Sequence, residues 1–252
     1  METQTAGFLY CIFSRNGRTD TPYFKELSKS LQSLKACLPD ANVCVFTNIA
    51  DASLWQLFDN VIVDKKAPHN LIFKAYGLLA SPYDKTVFLD TDILVHSADV
   101  CGIFDALENF DISVAYGNAF DQGSAFPDYN TGVLGVANNN AAKVFLQDWI
   151  DINTANPEKR YNDQWAFRQA YLKRLTSLRL HVLPAYFQYR YLIMHSYGYQ
   201  AITTHSHALS RRRVSAGLAI SYFFTFLCQD LPFAKQIQSI ATYVVLHFVR
   251  PN

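Results

Sequence analysis

Over its first 95 residues the chain alternates short apolar runs with amphipathic stretches, and that alternation leaves few folds open. A strand is predicted over 7–13, a polar turn over 14–20, and a helix over 22–37 whose apolar stripe is Leu27, Leu31 and Leu34. Pro39 and Asp40 close that unit, and a second strand follows over 43–47. A short helix over 53–58, a third strand over 61–63, a helix over 70–79 and a turn over 81–84 lead to a fourth strand over 87–95. Strand and helix in succession predict an α/β fold, with parallel strands and helices on both faces of the sheet. Ligands in such sheets bind beyond the carboxyl ends of the strands. The second half is less regular. Helices are expected over 103–107, 141–150 and 163–172, strands over 112–116, 132–136, 180–183 and 201–204, and a loop over 117–129.

The fourth strand carries the first chemical signal. Its apolar run is interrupted by Asp90 and Asp92. Ionised carboxylates are costly to bury without a partner. Residues i and i+2 of a strand share a face, so the two carboxylates are expected to converge on one point. A hard divalent cation suits such a pair, and at a strand end, outside any calcium loop, it suggests a metal shared with a diphosphate. The polar turn at 14–18, with Asn16 and Arg18, falls at the end of the first strand and so in the same crevice.

Composition removes several other classes. At 252 residues, 50% hydrophobic and 17% charged, the chain is globular and long enough to bury a full core. A net charge of +1 argues against a nucleic-acid binder that neutralises phosphates. The five cysteines are scattered and form no Cys-x-x-Cys pair, which points away from a disulfide framework or zinc and towards a reducing compartment. The first five residues are polar and acidic, unlike the start of a signal peptide. No uncharged apolar run is long enough to span a bilayer.

Four blocks carry a resemblance. The first runs from Phe73-Lys74-Ala75-Tyr76-Gly77-Leu78 to Phe88-Leu89-Asp90-Thr91-Asp92-Ile93-Leu94-Val95. The others are Tyr129-Asn130-Thr131-Gly132-Val133-Leu134, Asn162-Asp163-Gln164-Trp165-Ala166-Phe167 and Ile202-Thr203-Thr204-His205-Ser206-His207. In this order they resemble the retaining glycosyltransferases of the glycogenin and lipopolysaccharide galactosyltransferase group, over about residues 7–210. The resemblance implies a GT-A fold, a Rossmann-like mixed sheet flanked by helices. It implies a UDP-hexose donor and transfer to an acceptor hydroxyl with retention. It also implies Mn²⁺ or Mg²⁺ held by Asp90, Asp92 and a histidine, His205 or alternatively His207. Lys74, Thr91, Asn130, Gly132 and Asp163 would contact the donor, and Gln164 would face the anomeric carbon. Asp163 also reads as a helix N-cap, since Asp before a helical run is a common cap. Family members contact uridine and ribose after the first strand, and Arg18 or Asn16 could do so here. The family's Lys-Pro-Trp segment is missing after the histidine, where Arg211, Arg212 and Arg213 stand instead.

From Arg211 onward five Lys and Arg face Asp230 alone, net +4, which leaves −3 for residues 1–210. Two apolar helices are expected in that tail, too short to span a bilayer. The chain therefore divides into a glycosyltransferase domain over 1–210 and a basic, apolar tail over 211–252. The tail is expected to pack on the domain, lie on an anionic membrane surface or form a homodimer contact. The reading is a cytoplasmic enzyme, with peripheral membrane attachment open, acting on a glycan, lipid-linked or protein acceptor. Two other classes stay open: a nucleotide-sugar-binding protein without turnover, and a nucleotidyltransferase. The latter predicts a glycine- and lysine-rich loop after the first strand, and the turn at 14–20 has one glycine and no lysine.

Overall fold

The computed structural model describes residues 5–50, 53–116, 129–159, 162–188 and 201–205. Seven strands form one sheet: β1 (Ala6–Ile12), β2 (Val43–Thr47), β3 (Asn60–Val63), β4 (Lys85–Leu89), β6 (Ile112–Tyr116), β7 (Tyr129–Ala137) and β8 (Leu180–Leu183). Their spatial order is β3-β2-β1-β4-β7-β6-β8. Strands β3, β2, β1 and β4 run parallel, β7 is antiparallel to both β4 and β6, and β8 is parallel to β6. The sheet is mixed, as expected, with its one reversal at β7. The remaining strands, β5 (Ile93–Val95) and β9 (Thr203–His205), form a separate antiparallel pair.

Both faces of the large sheet are covered, which is why its central strands read as unbroken apolar runs. One face sends Leu9, Phe46, Phe88 and Leu134 into a core with α2 (Phe73–Leu79), α4 (Asn140–Ala155) and α5 (Asp163–Lys173). The other sends Phe8, Tyr10, Val45, Val87 and Leu89 against α1 (Pro22–Cys37), α3 (Gly102–Ala106) and β5. Helix α1 opens with Pro22 in its first turn, where a missing N–H costs nothing. Helix α2 approaches β1 and β2 closely at Gly77, where an added Cβ would run into Cys11 Sγ and stand 3.0 Å from Phe46 Cβ.

One expectation is corrected. The run 87–95 is not a single strand. Strand β4 stops at Leu89, and the Ile93 N–H donates to the Asp90 carbonyl at 3.0 Å, closing a turn over Asp90, Thr91 and Asp92. The chain then leaves the sheet to form β5. Asp90 and Asp92 are thus carried by a turn at the rim and are not paired through strand periodicity. The physical reason lies in the sheet itself. Both of its faces are apolar and helix-covered here, so a continued strand would drive these carboxylates into the core. Other elements differ in length. Strand β7 begins at Tyr129, so Asn130 and Gly132 lie within a strand, and α4 runs on to Ala155; after β8 the chain turns through a short 3₁₀ segment, Ala185–Gln188. The loop at 117–128, His207 and the tail over 211–252 lie outside the described residues.

Candidate active site

The rim where β4 ends and β7 begins gathers the charged groups. In register Leu89 faces Val133, and the next pair is closed by the Asp90 N–H donating to the Gly132 carbonyl at 2.8 Å. A Cβ at 132 would stand 3.0 Å from Asp90 Oδ2 and 2.5 Å from Gln188 Nε2, so a larger residue would displace the Gln188 carboxamide and press on Asp90. Bare backbone therefore forms one wall of a polar cradle.

Lys74 enters this cradle from the first turn of α2, with only 7% of its surface exposed. Its Nζ lies 3.0 Å from Asp90 Oδ1 and 3.2 Å from Asp163 Oδ2. Longer contacts reach Thr131 Oγ1 at 3.3 Å and its carbonyl at 3.4 Å. Beneath it lies the Phe88 ring, with the ammonium 5.3 Å from the ring centroid. Burial disfavours the charged ammonium, but the carboxylates of Asp163 and Asp90 outweigh it, and Lys74 titrates above the usual lysine range. The side chain is a fixed cation bridging two acids.

Asp163 is not the N-cap of α5. That role falls to Asn162, whose side chain accepts from the Trp165 N–H at 2.9 Å. Asp163 is the first helical residue, is 5% exposed, and accepts from Thr131 Oγ1 at 2.7 Å. Its carbonyl is held by the Trp149 indole N–H at 2.8 Å, which ties it to α4. Gln164, next along α5, is half-buried. Asn130 is 1% exposed, and its Oδ1 accepts from the Gly132 N–H at 3.0 Å and from Gln188 Nε2 at 2.6 Å.

The turn residue Thr91 is half-buried and Asp92 buried. Residue 205 comes to their side through the backbone: β9 pairs with β5 so that His205 stands opposite Ile93, one residue beyond Asp92. Among the described residues no group of three or more His, Cys, Asp or Glu side chains is assembled around a metal position. The donor chemistry nonetheless fits a hard divalent cation, since Asp90, whose Oδ2 borders the Gly132 backbone, and Asp92, two residues on in the same turn, both offer carboxylate oxygens.

The end of β1 adds a second polar corner. Asn48 clips the turn after β1, accepting from the Ser14 N–H at 2.9 Å and donating to the Ser14 carbonyl at 2.8 Å. Its Nδ2 also lies 2.9 Å from His69 Nε2, and the His69 ring stacks on Phe13. Asn16 Oδ1 accepts from Ser14 Oγ and from the Arg18 N–H, while the Arg18 guanidinium pairs with Asp20 in an exposed bridge. Sequence reading missed Thr131, Asn48 and Gln188. Thr131 sat inside a recognised block; Asn48 and Gln188 carried no signal, because their partners Ser14, His69 and Asn130 lie far away in the chain. The thiol of Cys11, 3.9 Å from the Lys74 carbonyl, is pushed well up by burial and is a poor nucleophile.

No family model matches the chain, and no curated protein does either. Solved structures do match. The galactosyltransferase LgtC, solved with donor and acceptor sugar analogs, has a TM-score of 0.53 at 14% identity, over 80% of this chain and 87% of that one. Mouse xyloside xylosyltransferase 1 gives 0.57 at 12% identity, over 82% and 99%. The glycosyltransferase GlyE of Streptococcus pneumoniae TIGR4 gives 0.59 at 13%, over 97% of this chain but only 64% of that one. The fold is that of the GT-A glycosyltransferases.

Proposed function

We propose that this chain is a glycosyltransferase that moves a hexose from a UDP-sugar to an acceptor hydroxyl with retention, assisted by Mn²⁺ or Mg²⁺. The observation that carries this reading is the buried Lys74 ammonium shared between Asp90 and Asp163 at the carboxyl end of β4. It stands where α/β sheets bind ligands, on a fold that LgtC, xyloside xylosyltransferase 1 and GlyE also have.

Asp90 and Asp92 would hold the cation, with His205 the third ligand and His207 the alternative. When bound, the cation would offset the charge that develops on a departing diphosphate. Lys74 holds Asp90 in place and adds positive charge on the same side. Asp163, fixed by Thr131 and Trp149, presents an acidic group to sugar hydroxyls. Asn130 adds an amide beside it, and Gly132 leaves room for the Asp90 and Gln188 side chains to close on the backbone. Gln164 follows Asp163 on the first turn of α5, and we assign its carbonyl oxygen to the positive charge that grows at the anomeric carbon. The ordered turn at Ser14 and Asn48 would take the nucleoside end.

The test is metal-dependent release of UDP from a panel of UDP-sugars by the purified protein, with UDP binding measured in parallel. UDP release should require added Mn²⁺ or Mg²⁺ and fall at least 100-fold in Asp90→Asn and Asp92→Asn. Absence of UDP binding with metal, together with no release from any donor, would sink the proposal. NMR of the product's anomeric proton decides retention against inversion.

A further inference from the structure

The backbone N–H of Gly132 determines more than its own hydrogen bond. It lies 3.0 Å from one side-chain atom of Asn130. A backbone N–H only donates, so that atom is the carbonyl Oδ1, and the amide nitrogen is the other end of the group. The Gln188 carboxamide meets the same Oδ1 at 2.6 Å, so the atom it presents must be the donor Nε2. A single main-chain donor thereby orients two carboxamides in series.

Both groups are sealed from water, Asn130 at 1% and Gln188 at 2% exposure. With Oδ1 taken up twice, the Asn130 amide has no freedom to flip. Its Nδ2 has no hydrogen-bond partner among the described residues. A buried amide nitrogen in that condition is a standing demand for an acceptor. Gln188 reaches this point from the 3₁₀ segment Ala185–Gln188, which is anchored to the β9 end of the molecule. The Ile202 N–H donates to the Tyr186 carbonyl at 2.8 Å, and the Thr203 hydroxyl donates to the Phe187 carbonyl. The contact exists only because residue 132 lacks a Cβ, which would stand 2.5 Å from Gln188 Nε2.

We propose that Gln188 is a positioning residue of the sugar site: it locks Asn130 so that the Asn130 NH₂ is a committed hydrogen-bond donor to an oxygen of the bound glycosyl group. The inference rests on the UDP-sugar reading above and names what that site demands of its ligand, an acceptor oxygen at Asn130. The benefit belongs to the sugar and not to the nucleotide.

Gln188→Glu is the discriminating variant. At pH 8 the introduced carboxylate cannot donate to Oδ1. If Asn130 flips to donate to it, Nδ2 then faces the Gly132 N–H, donor against donor. Titration calorimetry with Mn²⁺ should show UDP affinity unchanged within twofold and affinity for the best UDP-sugar substrate reduced at least 10-fold. At pH 5.5 the buried carboxyl takes up a proton and regains a donor. Its deficit relative to wild type at the same pH should shrink below threefold. Gln188→Met, similar in shape but without a donor, should lose UDP-sugar affinity selectively and show no recovery at pH 5.5; it carries the test if Gln188→Glu does not fold. Equal losses for UDP and UDP-sugar, or variants indistinguishable from wild type, would overturn the inference while leaving the site reading intact. Wild-type protein that binds no UDP with metal overturns both together.

Discussion

Lys74 is the residue on which the candidate site turns. It is a cation with two carboxylates within 3.2 Å and little water, so the three groups are stable only as a set. Removing the cation leaves Asp90 and Asp163 facing each other uncompensated. Breaking a buried pair costs about 3–5 kcal/mol, and the lower figure applies because Asp90 keeps 27% of its side-chain surface. Lys74→Met should therefore lower the unfolding free energy by about 3 kcal/mol in urea titrations without metal. Adding Asp163→Asn should recover at least 1 kcal/mol of that, because one of the two repelling charges is gone. Losses that simply add in the double variant would show that the acids do not share this cation. The block containing Lys74 and the block containing Asp163 were both legible in the sequence. Their direct ion pair was not, because it joins residues 89 positions apart across a sheet edge, and no local pattern encodes that distance.

At the scale of elements, helix placement on the sheet is governed by small contacts that propensity does not report. Gly77 lies inside α2, where alanine would gain about 1 kcal/mol in intrinsic helix stability. An added Cβ would collide with Cys11 Sγ and press on Phe46, and overpacking of this kind costs about 1–3 kcal/mol. The collision is with the sheet on which α2 rests, so the second effect should win. Gly77→Ala should lower the urea midpoint, and an unchanged or raised midpoint would mean that α2 can lift away freely. A second junction is the Trp149 indole N–H on the Asp163 carbonyl, which links α4 to the start of α5. Trp149→Phe keeps most of the buried ring but removes this hydrogen bond; the carbonyl keeps its place in the first turn of α5, so the loss is about 1 kcal/mol. Denaturant titration should show that loss. Helix and strand identities were readable over most of the chain, because helices such as α1 bury one face at helical spacing and the central strands, buried on both faces, are short unbroken apolar runs. The end of β4 was not readable. Asp90 and Asp92 fit a strand by spacing, and only the apolar cover on both faces of the sheet forces the turn.

Across the whole molecule the sheet has two unlike ends. The candidate site occupies the rim at the carboxyl end of β4, where Lys74, Asp90 and Asp163 gather charge. On the α4–α5 layer and at the start of β6, away from that rim, buried acids serve the fold alone. Asp111 immediately precedes β6 and is 3% exposed; it accepts from the Arg179 backbone N–H and guanidinium and from Asn139. Asp148 on α4 is 6% exposed and is held by Lys173, the last residue of α5, and by Arg174 just after it. Burial pushes both carboxyls up, yet the hydrogen bonds and cations outweigh it, and both titrate below the usual carboxylate range. A depressed folded-state pKa adds stability that is fully present above the unfolded value, about 3.9 for Asp, and is lost as pH falls through the folded value. Asp111→Asn and Asp148→Asn should each be less stable than wild type at pH 7, by an amount that stays level down to about pH 5. Below about pH 4 the wild type takes up protons on unfolding that the variants cannot, so the gap should narrow steadily. Urea midpoints from pH 7 to pH 2.5 measure it. A gap that stays constant over that range would mean that these carboxyls keep their ordinary affinity for protons and that their cations are incidental neighbours.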